Sequence, residues 1–310
     1  MGTKLVFMGT PRFAVPSLRA LREAGYEISG VITQPDRRKG RGKKVVPPPI
    51  KETALALGIP VYQPDNPNTE DFLHQLATLS PNIIVTVAFG HLLKKQILNL
   101  PPLGCLNVHA SLLPKYRGAA PIAWAIFNGE EVTGVTIMKM DEGMDTGPIL
   151  AVRKEAIRPD DTTETLSQRL SEIGAELIVE TLREWLAGRI TPLPQDPSQA
   201  TYAPPLTKGD GKIDWTRSAL EIERQIRAMI PWPGAFTTIE GKILKIFKAK
   251  VVDMADDLKP GQSIITDDAW RVVTGNGTLE LSEIQLEGKK RQEIHTFLKG
   301  FKSRGMLTLP

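Results

Sequence analysis

The sequence predicts an α/β protein in two domains, an N-terminal parallel-sheet (Rossmann-like) domain over 1–189 and a C-terminal small β-barrel (OB-like) domain over 207–310. Three observations predict it. From the N-terminus to about residue 187, short apolar runs alternate with amphipathic stretches, the pattern of strands joined by helices and hence of a parallel sheet covered on both faces. Over 190–206 that pattern gives way to Ile190-Thr191-Pro192-Leu193-Pro194-Gln195-Asp196-Pro197 and Ala203-Pro204-Pro205, a composition that reads as a stiff linker. Beyond it come about five short apolar runs separated by Glu240-Gly241, Pro260-Gly261, Asn276-Gly277 and Glu287-Gly288, the spacing of an antiparallel set that curls into a small barrel.

Each element has its own local reason. Lys4-Leu5-Val6-Phe7-Met8 is a short apolar strand that stops at Gly9-Thr10-Pro11, and Leu18 and Leu21 mark one face of a helix ending at Gly25. A strand follows at 27–33, a helix at 49–57, a strand at 60–62 and a helix at 69–78. The unbroken run 83–88 reads as a buried strand, with further strands at 104–109 and 132–139. A helix over 162–187 places Leu166, Leu170, Ile173 and Leu177 on one face. After the linker, Ser218 and Glu221 have the spacing of a capping box opening a helix at 217–230, which closes before Pro231. The strands of the second domain are expected at 235–239, 243–252, 262–266, 270–274 and 278–286. Alternation along 243–252 puts Lys242, Lys248 and Lys250 on one face and Lys245 on the other, unless a bulge intervenes. With Lys289-Lys290-Arg291 they make a candidate phosphate-tracking surface.

Composition narrows the classes. A chain of 310 residues with 41% hydrophobic content can bury two cores. One cysteine, Cys105, permits no intramolecular disulfide, and four scattered histidines do not form a zinc set, so a reduced protein with no metal is expected. The N-terminus runs directly into a strand, and no apolar run approaches the ~20 residues of a membrane helix. The expectation is therefore cytoplasmic, without a signal peptide or membrane partner, and, lacking a coiled-coil pattern, monomeric. The net charge of +4 is modest, but six of the eight residues from Arg37 to Lys44 are basic, making a local positive loop. Gly9-Thr10-Pro11-Arg12 follows a first strand as a nucleotide-binding turn would, yet it has neither Gly-x-Gly-x-x-Gly nor a Gly-Lys-Ser/Thr phosphate loop, which argues against a dehydrogenase or an NTPase.

The segment richest in chemistry is Gly104 to Gly118. In a strand, Asn107 and His109 point to one face, so a carboxamide and an imidazole emerge together near the C-terminal edge, where open α/β sheets bind ligands. Asp145 follows in Asp141-Glu142-Gly143-Met144-Asp145-Thr146-Gly147, a turn-rich loop that lets backbone approach a ligand. A carboxylate beside a histidine orients its ring, and the three groups together suit acyl transfer. Taken singly, Asn107 reads equally as a strand-end hydrogen bonder, His109 as a satisfied buried histidine and Asp145 as a loop cap. Spacing alone leaves the function open.

Four ordered motifs carry a resemblance over nearly the whole chain. They are Leu5 to Pro16; Thr33-Gln34-Pro35-Asp36 leading into Gly40-Arg41-Gly42-Lys43-Lys44; Asn107-Val108-His109-Ala110-Ser111-Leu112-Leu113-Pro114 with Arg117 to Ile122; and Met140 to Gly147. In these the sequence resembles the methionyl-tRNA formyltransferases. The resemblance implies a core catalytic formyltransferase domain, 10-formyltetrahydrofolate as the formyl donor, no metal, and the α-amino group of methionine on initiator Met-tRNA as acceptor. It matches Asn107, His109 and Asp145 to the family's catalytic residues. It assigns Ser111, Leu112, Leu113 and Pro114 to the folate pocket, with Val87 to Gly90 and 141–145 as candidate walls. It implies tRNA binding by the basic loop, with Arg41 entering beside the acceptor end and Lys43 and Lys44 contributing. Two rivals stand beside it: the same trio acting on a sugar nucleotide or small amine, and an RNA-binding module on an inert scaffold.

Overall fold

The computed structural model describes residues 3–39, 44–253, 258–301 and 305–310. The chain forms two compact units: Met1–Pro121, Val132–Ala156 and Ser167–Pro204 make the first, and Ile122–Glu131, Ile157–Leu166 and Pro205–Pro310 the second.

In chain order the elements up to the linker are β1 (Lys4–Gly9), α1 (Val15–Glu23), β2 (Glu27–Ile32), β3 (Arg37–Lys39), β4 (Lys44–Val46), α2 (Pro49–Ala56), β5 (Val61–Tyr62), α3 (Glu70–Thr78), β6 (Ile83–Val87), α4 (Lys95–Leu98), β7 (Cys105–His109), β8 (Arg117–Gly118), α5 (Pro121–Phe127), β9 (Val132–Lys139), β10 (Ile149–Ala156) and α6 (Thr163–Leu186). The main sheet runs β10-β9-β7-β6-β1-β2-β5. Its five strands from β7 to β5 are parallel, as the alternation of strands and helices requires. The other two strands add antiparallel pairings at one side of this parallel sheet, β9 lying antiparallel to β7 and β10 antiparallel to β9. For β10 the physical reason is connectivity: the loop 140–148 simply turns the chain back, with no crossover helix between β9 and β10. Strands β1 and β6 are buried along nearly their whole length, which accounts for their unbroken apolar runs. On one face, Val6, Met8, Ile84 and Cys105 share a core with Phe72, Leu76 and Ile97. Toward the other, α6 closes down because Gly174 lies opposite Val108: a Cβ there would sit 2.9 Å from a Val108 methyl.

The basic segment, expected as a loop, is in part a hairpin. β3 and β4 pair antiparallel, with Arg37 opposite Val46 and Arg38 opposite Val45. Its base is anchored by Asp36, whose carboxylate takes Lys51 Nζ at 2.8 Å and Gln63 Nε2 at 2.7 Å. The bonds from Lys51 and then Gln63 hold the Asp36 carboxyl below the usual carboxylate range.

The proline-rich stretch read as a linker is not free of the first unit up to Pro204. Its Tyr202–Ala203 forms β11, parallel to β8, and Leu193 exchanges backbone bonds of 2.8 Å with Ile149 in both directions. A segment without hydrophobic periodicity is ordered here by backbone hydrogen bonding.

The second unit adds α7 (Ala219–Ala228), β12 (Ala235–Ile239), β13 (Lys242–Val252), β14 (Gln262–Ile265), β15 (Trp270–Val273), β16 (Thr278–Leu286), β17 (Gln292–Glu293), α8 (Ile294–Gly300) and β18 (Gly305–Thr308). The capping box is present: Ser218 Oγ accepts from the Glu221 N–H, and Glu221 accepts from the Ser218 N–H. The strands form one antiparallel sheet in the order β12-β13-β16-β15-β14-β18, with β17 on β16. Residues from all along it, from Ala235 to Leu309, meet Ile222, Ile226, Trp270 and Phe297 in a single core, so the sheet curls on itself. Thr237 on β12 donates to the Pro310 carbonyl at 3.0 Å, bringing the first strand beside the chain end. The bulge admitted in the sequence reading is present: register shifts between Ile246 and Ala249. Lys245 lies outward between buried Leu244 and Ile246, and past the bulge Lys248 and Lys250 flank Ala249, which packs on the core. Lys245 joins Lys248 and Lys250 on the outer face, and Lys242 is the residue whose position follows the inward register.

Candidate functional site

Strand β7 builds the site. Its register beside β6 sets Asn107 next to Thr86, and alternation gives Asn107 and His109 the face opposite Val108. Asn107 is 9% exposed and His109 6%. Among the described residues the Asn107 carboxamide makes no hydrogen bond, although a polar group so enclosed ordinarily finds a partner. Beside it the Thr86 hydroxyl is buried without one. These groups sit at the C-terminal ends of parallel strands, where backbone dipoles and diverging loops leave room for a ligand.

His109 is fixed from both sides. Its Nε2 lies 2.9 Å from the Tyr116 carbonyl; a carbonyl only accepts, so Nε2 carries a proton. Its Nδ1 faces Asp145 Oδ2 at 3.6 Å, close but longer than a formed hydrogen bond. The same Oδ2 accepts the Gly118 N–H at 2.8 Å. The structure thus brings His109 and Asp145 together as the sequence anticipated, with Asn107 on the same strand face as His109. Two partners that sequence reasoning missed, the Tyr116 carbonyl and the Gly118 N–H, are backbone groups, which leave no trace in residue type. The nearest signal was the Arg117-Gly118 pair itself: Gly118 has φ of +121°, and a Cβ there would sit 2.6 Å from the Ala203 carbonyl oxygen.

The loop from Met140 to Gly147 is shaped by its own polar groups. Asp141 Oδ1 accepts from Thr146 Oγ1 at 2.6 Å and from the Gly143 N–H at 3.1 Å. Asp145 has φ of +54°, a left-handed conformation uncommon for a residue with a Cβ, which aims its carboxylate back at β7. Along the outer side of this loop lies a cleft of about 480 Å³, lined by Lys95, Leu98, Pro101, Gly104, Lys139 and Glu142 among others. It includes none of Asn107, His109 and Asp145, so the chemistry is assigned from the trio's geometry rather than from the cleft.

Ser111, Leu112, Leu113 and Pro114 form a tight exit from β7. Ser111 is fully buried, and its hydroxyl donates to the Lys115 carbonyl at 2.6 Å. Thr136 of β9 locks the turn: its hydroxyl donates to the Ser111 carbonyl and accepts from the Leu113 N–H. The end of β6 is tied to the base of the basic hairpin, since Thr10 Oγ1 and Gln34 Nε2 both donate to the Phe89 carbonyl at 3.2 Å. Of the expected tRNA-binding residues, Arg41 and Lys43 lie outside the described residues, and Lys44 begins β4.

Cys105, on the same strand two residues before Asn107, is not a nucleophile: burial pushes its thiol up to about 12, against the smaller pull of Lys139. Among the described residues no group of histidine, cysteine and carboxylate side chains could hold a metal ion, and no helix is long and apolar enough to cross a membrane.

A family model described as formyl transferase matches residues 3–182, and one described as formyl transferase, C-terminal domain, matches 205–302. The chain is 50% identical over 303 residues to a methionyl-tRNA formyltransferase of Lachnospira eligens, covering 96% of each. It is 51% identical over 300 residues to one of the same name from Koribacter versatilis, again covering 96% of each. Among solved structures it is similar to an N-formyltransferase from Helicobacter canadensis in complex with folinic acid and dTDP-3-aminofucose, with a TM-score of 0.68, 19% identity, and coverage of 94% of this chain and 100% of that one. At that identity the likeness is one of fold.

Proposed function

The chain belongs to the methionyl-tRNA formyltransferase family, and on that premise we propose that it transfers the formyl group of 10-formyltetrahydrofolate to the α-amino group of methionine on initiator Met-tRNA. The supporting observation is the enclosed, unbonded carboxamide of Asn107 beside a histidine and carboxylate whose backbone partners fix their orientation.

In this reading the acceptor amine arrives neutral and attacks the formyl carbon; the new N–C bond forms as the formyl oxygen gathers charge. Asn107 donates to that oxygen, and a carboxamide with no partner among the described residues is available to do so without breaking a bond to them first. His109 supplies the second donor as the imidazolium: its Nε2–H is engaged by Tyr116, so the Nδ1–H, which Asp145 faces at 3.6 Å without a formed hydrogen bond, is the one available to the reacting groups. Asp145 holds that edge, and itself or through a water takes the proton released by the amine and returns it to the departing folate nitrogen as the old N–C bond breaks. The His109 to Asp145 gap of 3.6 Å leaves room for such tightening once substrates bind.

Ser111 to Pro114 belong to the folate pocket in this reading through the shape of the turn, because the Ser111 hydroxyl is already committed. Arg41, Lys43 and Lys44 of the basic segment meet the phosphates near the acceptor end of the tRNA, and the outer-face lysines of β13 track its backbone. The protein works as a monomer in the cytoplasm, with no membrane partner. Incubating it with 10-formyltetrahydrofolate and charged initiator tRNA should yield N-formylmethionyl-tRNA, and Asn107→Ala, His109→Ala and Asp145→Ala should each lower turnover by about 100-fold or more. Near-normal rates in all three would refute the assignment.

A further inference from the structure

The stretch 193–203 is laid along every backbone group that orients His109 and Asp145. Thr201 Oγ1 accepts from the N–H of Tyr116, the residue whose carbonyl holds His109, and the Thr201 carbonyl accepts from the Arg117 N–H, both at 2.9 Å. Ala203 accepts from Ala119 and abuts Gly118, the donor to the Asp145 carboxylate. Gln195 completes the set: its Nε2 donates to the carbonyl of Asp145 at 2.9 Å and to that of Gly147 at 2.7 Å. The amide is itself oriented, because Oε1 accepts from Arg117 Nε at 3.1 Å and Nη2 at 2.7 Å, and the Arg117 side chain is 5% exposed. A carboxamide gripped on its oxygen by a guanidinium presents both N–H bonds in a fixed plane, and here they pin two carbonyls of the loop that carries Asp145 in its left-handed conformation.

We propose that residues 193–203 are a positioning strap for the reaction, and that Gln195 is the positioning residue that holds Asp145 in register with His109 and the reacting carbon. The inference rests on the catalytic reading of Asp145. Gln195 touches neither substrate nor reacting atoms; it acts through the loop. Its influence should therefore fall on turnover and not on binding.

The test uses the full-length protein with Gln195→Ala and Gln195→Glu. The glutamate keeps an acceptor for Arg117 but sets a carboxylate against two carbonyls, separating the donor role from the arginine contact. Both variants should lower kcat by about 10- to 100-fold, the scale of a misplacement near 1 Å, with KM for Met-tRNA and for 10-formyltetrahydrofolate changed by less than about threefold. In an Asp145→Asn background Gln195→Ala should cost less than about threefold more, because residues acting through one another do not add. Amide exchange over 141–147 should quicken in Gln195→Ala while exchange in β1 and β6 stays as in the parent. Unchanged exchange in the loop, a loss confined to KM, an equal loss in both backgrounds, or a Gln195→Glu variant with parental kcat would each overturn the strap. Near-normal turnover of Asp145→Asn alone would instead refute the catalytic reading, and loop exchange would still decide whether Gln195 holds the loop.

Discussion

Replacing Asn107 by alanine separates a catalytic donor from a structural one. The carboxamide is 9% exposed, and among the described residues no protein group is bonded to it. Truncation therefore leaves no orphaned partner, and the stability cost is that of lost packing alone, about 1 kcal/mol or less. For a domain of this size that is a fall in melting midpoint of about 2–4 °C. An oxyanion donor of this kind is worth about 2.7–4 kcal/mol of barrier, a drop of roughly 100- to 1,000-fold in kcat. The assay is single-turnover formylation of Met-tRNA with saturating 10-formyltetrahydrofolate, read beside a thermal melt. Large loss of rate with a nearly unchanged melt is expected. A rate within about fivefold of the parent, or a rate loss matched by a collapse in stability, would show that Asn107 serves the fold and not the developing oxyanion.

Other perturbations test neighbouring parts of the account. In Gly147→Ala the new Cβ would lie 1.9 Å from the Lys139 carbonyl, well inside the 3.4 Å at which ordinary contact begins; the loop must shift, and kcat should fall by about 100-fold, whereas a parental rate would show the loop geometry to be irrelevant. Arg41→Ala should raise KM for tRNA far more than KM for the folate and make the logarithmic salt dependence of tRNA binding shallower by about 1; equal effects on both substrates would point to general damage. At Glu221 the bonds from Ser218, with Arg217 adding to them, hold the carboxyl down at about 2. A depressed folded-state value stabilises the protein above the unfolded value and is lost as pH falls. Glu221→Gln should thus lower the melting midpoint near pH 6, and the gap to the parent should close as pH drops from about 4.5 toward about 2, while a gap constant with pH would contradict the ionic cap.

Where periodicity and packing agree, the sequence was a sound guide. β12 and β16 fall at their expected residues, and α7 opens on the capping box read from Ser218 and Glu221. Asn107 and His109 were legible as a pair because strand alternation is a local rule and β7 obeys it. What escaped had non-local causes. β10 is an edge strand of mixed burial, and its antiparallel pairing is set by the turn before it. The β3 to β4 hairpin lies in a basic segment without apolar alternation. The strap has prolines and polar residues because its order comes from backbone bonds to Tyr116, Arg117 and Ala119, and nothing around Gln195 in the chain announces that it reaches Asp145 and Gly147. The second nitrogen of His109 was likewise invisible, since its acceptor is a carbonyl seven residues on.

The most direct measurement offers the protein a choice of amines in one vessel: labelled 10-formyltetrahydrofolate with charged initiator tRNA and an amino-sugar nucleotide at equal concentration. The account predicts label on the methionine amine of the tRNA, abolished to near background in Asp145→Asn. Label appearing on the sugar amine while Met-tRNA stays unformylated would contradict it.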